Sequence, residues 1–158
     1  MKALIIGRFQ PFHKGHLHMI KKAMEKYEVI IAIGSINVRN FENPLSFEER
    51  VRILRECGIQ SKVYGIPDVH DDKKWVEIIF DTVGDFDVVI SGSGWVKRCF
   101  KGIKPVLDPD FLKPELYHGT VIRERIVKGE EWEDLVPKCA FKILKELDFE
   151  RRVRELKV

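Results

Sequence analysis

A Rossmann-like α/β fold, with a doubly wound parallel sheet of five strands and helices at the C-terminal end, is what this sequence predicts. Short apolar runs such as Ala3-Leu4-Ile5-Ile6, Val29-Ile30-Ile31-Ala32-Ile33 and Val88-Val89-Ile90 read as strands buried on both faces, and glycine follows each closely. Between them apolar residues recur at helical spacing, as at Leu17, Ile20 and Met24. A helix between two strands implies parallel pairing through a right-handed crossover.

The first strand covers Ala3 to Ile6, and the turn Gly7-Arg8-Phe9-Gln10-Pro11-Phe12-His13-Lys14-Gly15-His16 leads into the first helix. A second strand, Glu28 to Gly34, runs into a polar loop from Ser35 to Leu45. Ser46 and Glu49 have the spacing of a capping box, so a helix should start there and stop at Gly58. A third strand is expected at Lys62 to Ile66, and a helix from Trp75 to about Val83. Phe86 to Ser91 gives the fourth strand, Trp95 to Phe100 a short helix, and Lys104 to Leu107 a fifth strand that Pro105 confines to an edge. Asp108 to Tyr117 lacks periodicity and reads as loop. A helix follows from Gly119, with Thr120 expected as its N-cap. Pro137 then opens a helix that lines up Ala140, Ile143, Leu144 and Leu147. With no linker or repeat, the whole chain reads as one domain: a core over 1–127 and a helical segment over 128–158.

Composition bounds the function. The net charge of +3 is small, and most basic residues sit beside acidic ones, so nothing argues for nucleic acid while an anionic small molecule is allowed. The charged fraction of 34%, rich in Lys, Arg and Glu, leans toward a thermophilic source. Cys57, Cys99 and Cys139 are scattered and odd in number; neither a disulfide framework nor a zinc spacing is expected, which suits a reducing cytoplasm. No apolar run is long enough for a membrane span, and no signal peptide is expected.

Four constellations carry chemistry. His13-Lys14-Gly15-His16 puts two histidines on one side of a first helical turn at a strand end, with glycine allowing close approach to the backbone. Together with Arg8 this makes a phosphate site; zinc held by His13, His16 and His18 stays open, although it needs a further ligand. Thr120 and Arg123, one helical turn apart, can reach one phosphate. Ser91-Gly92-Ser93-Gly94 holds only part of a dinucleotide fingerprint, but lets an adenine lie against the backbone. Trp75, with Asp68, Asp71 and Asp72 nearby, offers an aromatic plane and carboxylates to a cationic ring; a core tryptophan beside solvated acids is the plainer alternative.

The stretch Gly7 to His16 resembles the ATP-binding turn of the nucleotidyltransferase superfamily with the His-x-Gly-His signature, and its full form is similar to that of the archaeal nicotinamide mononucleotide adenylyltransferases. Gly34-Ser35, Asn43-Pro44, Pro67-Asp68, Trp75-Val76, Ser91-Gly92, Gly119-Thr120 with Ile122-Arg123, and Trp132 to Pro137 extend the likeness over nearly the full length. It implies transfer of AMP from ATP to the 5′-phosphate of nicotinamide mononucleotide, with Mg²⁺ on the triphosphate. By the same resemblance His13, His16, Arg8 and Arg123 act on the phosphates, and Gly7, Phe9, Gln10, Lys14, Gly15, Ser91, Gly92, Thr120 and Ile122 form the ATP site. Asp68, Asp72, Trp75, Ser35 and Asn37 fall to the acceptor. The family's asparagines before the tryptophan and after the Ser-Gly pair are here Asp72 and Ser93, and Gly34-Ser35-Ile36-Asn37 replaces Gly-Ser-Ala-Gln. These departures gather on the acceptor side, so another phosphorylated acceptor, of phosphopantetheine type, or a nucleotide-binding module without turnover stays open. Members of the family often form homo-oligomers; the sequence itself carries no signal for one.

Overall fold

A computed structural model describes residues 1–157. The elements in chain order are β1 (Lys2–Gly7), α1 (Lys14–Met24), β2 (Glu28–Ile33), α2 (Phe47–Glu56), β3 (Lys62–Gly65), α3 (Asp72–Val83), β4 (Val88–Ile90), α4 (Gly94–Phe100), β5 (Val106–Leu107), α5 (Gly119–Lys128), a 3-10 turn (Glu133–Leu135), α6 (Lys138–Glu146) and α7 (Phe149–Leu156). Contacts between Cα atoms divide the chain into two compact units. One takes in Met1–Arg8, Met19–Val38 and Ser61–Asp110; the other Phe9–His18, Arg39–Gln60 and the segment from Phe111 onward.

The first unit contains the sheet, all parallel, in the order β3-β2-β1-β4-β5. β1 is central because Ala3, Leu4 and Ile5 have no exposed surface, which only a strand paired on both edges and covered on both faces achieves. Leu4, Ile30, Ala32 and Val89 from the strands meet Trp75, Val76 and Ile79 of α3 and Val96 and Phe100 of α4 in one apolar cluster. β5 is an edge strand, as Pro105 implies, but shorter than expected: the ladder begins at Val106 because proline has no N–H to donate. α3 begins three residues before Trp75, since Asp71 accepts the Lys74 N–H and caps it there.

The second unit is helical. Both bonds of the Ser46–Glu49 capping box form, at 2.8 and 3.2 Å. α2 packs on α6, and α7 packs on α5 and α6. The seam between α2 and α6 carries the ion pairs Arg52–Glu146 and Lys142–Glu56. It also carries a disulfide between Cys57 and Cys139, whose Cα atoms are 5.2 Å apart, and this corrects the expectation of unpaired cysteines. Their separation of 82 residues hid the pairing, which depends on α2 and α6 meeting in space. α5 is capped by His118, not by Thr120: the His118 Nδ1 accepts the Thr120 N–H at 3.2 Å, leaving Thr120 inside the first turn. Among the described residues no helix is long and apolar enough to cross a membrane.

Candidate active site

The histidine turn is built on itself. β1 ends at Gly7, and the chain passes through Phe9, which takes a left-handed backbone (φ 54°), into α1. Gln10 fixes the turn from below: its side-chain amide donates to the Leu45 carbonyl and accepts the Leu45 N–H, both at 2.9 Å. Phe9 and Phe12 are buried and pack their rings around His16, one edge-on at 4.7 Å and one stacked at 5.7 Å between centroids.

His13 immediately precedes α1, and its Nδ1 accepts the His16 N–H at 3.3 Å; the His16 Nδ1 accepts the His13 N–H at 3.1 Å. This is the reciprocal pattern of a capping box, made with imidazoles instead of a hydroxyl and a carboxylate. The rings stack 3.6 Å apart. Because each Nδ1 is an acceptor, a neutral ring must carry its proton on Nε2. Burial, with His118 contributing, pushes His13 down to about 3. Burial also holds His16 well below the usual histidine range, and His13 and His118 add to the effect. At neutral pH the pair therefore offers two Nε2–H donors and no charge.

Gly15 is dictated by this geometry. A Cβ there would lie 2.9 Å from the His13 ring and 3.0 Å from the Tyr117 Cβ. Lys14, half-buried, opens α1.

Arg123 is buried in the same unit, with its guanidinium 5.6 Å from the Phe41 ring centre. One of its terminal nitrogens donates to the Gln10 carbonyl at 2.6 Å, the other to the Thr120 hydroxyl at 3.3 Å. A Cβ on Gly119 would lie 3.0 Å from that guanidinium and 3.1 Å from the Gln10 oxygen. The structure thus brings Gln10, Thr120 and Arg123 together around the turn, while Ile122 has no exposed surface and packs in the core. His118 was missed by sequence reasoning. Its signal was its place before Gly119-Thr120, where a short polar cap is the usual residue.

In the sheet unit Arg8 is exposed just past β1, and the Gly7 carbonyl accepts the Gly34 N–H. Three residues expected at the acceptor form one cluster. The Ser35 hydroxyl donates to Asp68 Oδ1 at 2.8 Å, and Asn37 pairs through its amide with the Asp68 N–H and carbonyl, at 2.8 and 3.1 Å. Ser35 is buried with a φ of 56°, which aims its hydroxyl at the carboxylate. Ser91 is buried at the end of β4, where its hydroxyl accepts the Ser93 N–H in a tight turn around exposed Gly92. Trp75 is only 4% exposed and packs against Trp95 and Phe100; Asp72 accepts the Trp95 indole N–H at 3.0 Å.

Comparison with known proteins gives a consistent picture. The profile of the cytidylyltransferase-like family matches residues 4–145. The chain is 39% identical to a nicotinamide-nucleotide adenylyltransferase of Archaeoglobus fulgidus, over 99% of this chain and 97% of that one. It is 38% identical to the enzyme of the same name from Pyrococcus horikoshii, over 99% and 89%. Among solved structures, a bifunctional NMN adenylyltransferase/ADP ribose pyrophosphatase from Francisella tularensis superposes with a TM-score of 0.76 at 25% identity. That match covers 98% of this chain, which spans about half of the bifunctional one (52%).

Proposed function

The chain belongs to the cytidylyltransferase-like family, together with the archaeal nicotinamide-nucleotide adenylyltransferases, and on that premise we propose that it transfers AMP from ATP to the 5′-phosphate of nicotinamide mononucleotide. The products are NAD and pyrophosphate. The observation that carries this reading is the paired imidazole cap, which leaves two neutral Nε2–H donors side by side at a helix N-terminus.

The chemistry asks little else of the protein. The attacking acceptor oxygen belongs to a phosphate that is already ionised, so no general base is required. Catalysis then reduces to in-line alignment and to donors placed where charge grows on the α-phosphate and leaving pyrophosphate. His13 and His16 supply such donors, and the partial positive charge of the α1 N-terminus acts in the same direction. Neutral rings bind the triphosphate without having to lose a proton on release. Thr120 and Lys14 extend the phosphate contacts, and Arg8 supplies a further guanidinium. Arg123, engaged with Gln10 and Thr120, is a positioning residue that holds the turn and the first residues of α5 in register.

Mg²⁺ enters with the nucleotide as part of the substrate. Among the described residues no group of three or more His, Cys, Asp or Glu is arranged to hold a metal. Held by phosphate oxygens and water, the ion would neutralise charge on the β- and γ-phosphates.

Ser91 and Gly92 are assigned to the adenosine, and Ser35, Asn37 and Asp68 to the ribose phosphate side of the acceptor. We place the reaction in the cytoplasm, where these substrates are used; the disulfide fits there if the source is a hyperthermophile, whose intracellular proteins are disulfide-rich. Incubating the pure protein with ATP, Mg²⁺ and nicotinamide mononucleotide tests the reading. NAD and pyrophosphate should form in equal amounts, and no NAD from this acceptor would overturn it.

A further inference from the structure

Gln10, which fixes the histidine turn, is itself held at three points: its side-chain amide on both backbone groups of Leu45, and its carbonyl on Arg123. The last helix, α7, reaches behind both holders. One nitrogen of Arg152, Nη1, donates to the Pro44 carbonyl at 3.3 Å and to Glu49 Oε1 at 2.6 Å. The same Oε1 accepts the Ser46 N–H at 2.8 Å. Arg152 thereby grips the residues on either side of Leu45, directly at Pro44 and through Glu49 at Ser46.

The basic residues of α7 divide by what they touch. Arg151 pairs with Glu155 on its own helix, and both side chains stand largely in solvent (74% and 65% exposed), where an ion pair adds little. Arg152 and Glu49 are 19% and 21% exposed, and a pair shielded to that extent is costly to break. Burial by itself would raise the Glu49 carboxyl; the bonds from Arg152 and Ser46 reverse this and hold it below the usual carboxylate range. Lys157 lies 4.3 Å from the centre of the Phe41 ring, which also faces the Arg123 guanidinium at 5.6 Å. The turn from Asn40 to Asn43 sets Phe41 in place, with Asn40 Oδ1 accepting both the backbone and the side-chain N–H of Asn43 at 3.0 Å. Arg154 donates to the Ile126 carbonyl at 3.3 Å, about one helical turn past Arg123.

Resting on the reading that the histidine turn holds the phosphates of ATP, we infer that α7 carries two positioning residues for AMP transfer: Arg152, acting on Gln10 through Pro44, Glu49 and Leu45, and Lys157, acting through Phe41 and Arg123. Neither touches the substrate. Each takes freedom from one of the two supports of Gln10. The turn needs both, because a displacement of about 1 Å at the imidazoles is enough to misalign in-line transfer. The packing of the helices agrees: α2 lies on α6, α5 lies on α7, and α7 lies on α6, so α7 joins the two supports.

Steady-state kinetics at about 25 °C and backbone hydrogen exchange test this in the full chain and in Arg152→Met, Arg152→Lys, Lys157→Met and, as a control on the same helix, Arg151→Met. Arg152→Met should lower kcat/KM for ATP about tenfold, with KM for nicotinamide mononucleotide within about twofold of the parent, and Lys157→Met should lower it about fivefold. In Arg152→Met the His13 and His16 N–H groups should exchange about tenfold faster relative to those of Leu4 and Ile5 in β1, whose rates report global opening. Arg152→Lys, which can still pair with Glu49, should recover most of both losses, and Arg151→Met should match the parent. Thermal melts identify variants that do not fold; Lys157 is half-exposed, so Lys157→Met decides if Arg152→Met unfolds. A kcat/KM for ATP within about twofold of the parent in either folded variant overturns the inference. So does exchange that rises no more at His13 and His16 than at Ile5, since that is the mark of a purely structural role. If the unaltered chain makes no NAD, the acceptor reading fails on its own, and the exchange rates still decide whether α7 holds the turn.

Discussion

Arg123 donates to the carbonyl oxygen of Gln10, 113 positions earlier in the chain, across 2.6 Å. Its guanidinium is buried, and removing it strands the Gln10 carbonyl and the Thr120 hydroxyl. Arg123→Met should therefore cost about 2–4 kcal/mol of stability in urea denaturation. Arg8→Ala, at an exposed position, should stay within about 1 kcal/mol of the parent while AMP transfer falls at least tenfold. If the two variants were equally stable, the positioning role of Arg123 would be wrong.

The histidine pair makes stability depend on pH with a defined sign. Unfolded, each imidazole takes up a proton near its ordinary value of 6.5; folded, His13 does so only at about 3, and His16 is also held well down. Between these values the unfolded chain binds more protons, so stability is fully present above about pH 6.5 and is lost as pH falls toward 3. The slope is up to about 1.4 kcal/mol per pH unit for each histidine. Urea midpoints at pH 7.5, 6.0 and 4.5 should fall more steeply for the parent chain than for His13→Asn or His16→Asn.

Gly15→Ala sets helix propensity against crowding. Alanine is better by about 1 kcal/mol in a helix, but its Cβ would meet the His13 ring and Tyr117. The His13 ring is the more mobile neighbour and should yield, moving its Nε2–H. kcat should drop about a hundredfold, with a melting temperature within a few degrees of the parent. A variant with normal kcat would show that the ring position is not critical.

The Cys57–Cys139 bridge closes a loop of 82 residues, for which chain entropy gives about 4.5 kcal/mol. Denaturation of Cys57→Ser, or of the parent chain with reductant, should show a loss of a few kcal/mol. AMP transfer at 25 °C should be unaffected, since neither cysteine belongs to the site. A midpoint insensitive to reductant would mean that the bridge does not form in solution.

The sequence was most informative where local rules decide. Glycine-closed apolar runs located β1, β2 and β4, and the Ser46–Glu49 spacing located the start of α2. His13, Gly15 and His16 were identifiable because their spacing is itself one turn of helix. What escaped depends on contacts distant in sequence. Cys57 and Cys139 meet only because two helices pack, and Gln10 acts through Leu45 and Arg123, far along the chain. Threonine caps helices more often than histidine, which points to Thr120, but it is His118, two residues earlier, whose ring accepts the Thr120 N–H. The protonation state of the imidazoles was out of reach as well, because burial is a property of the fold.

The chain crosses between its two compact units five times, and this has a bearing on synthesis. All five strands lie before residue 108, so the sheet unit has its whole sequence once the first two thirds of the chain have left the ribosome. The helical unit does not: α2 must wait for α6, Cys57 for Cys139, and the histidine turn for Arg123. A nascent chain whose first 110 residues have emerged should hold an ordered sheet while the histidine turn still lacks its bond to Arg123.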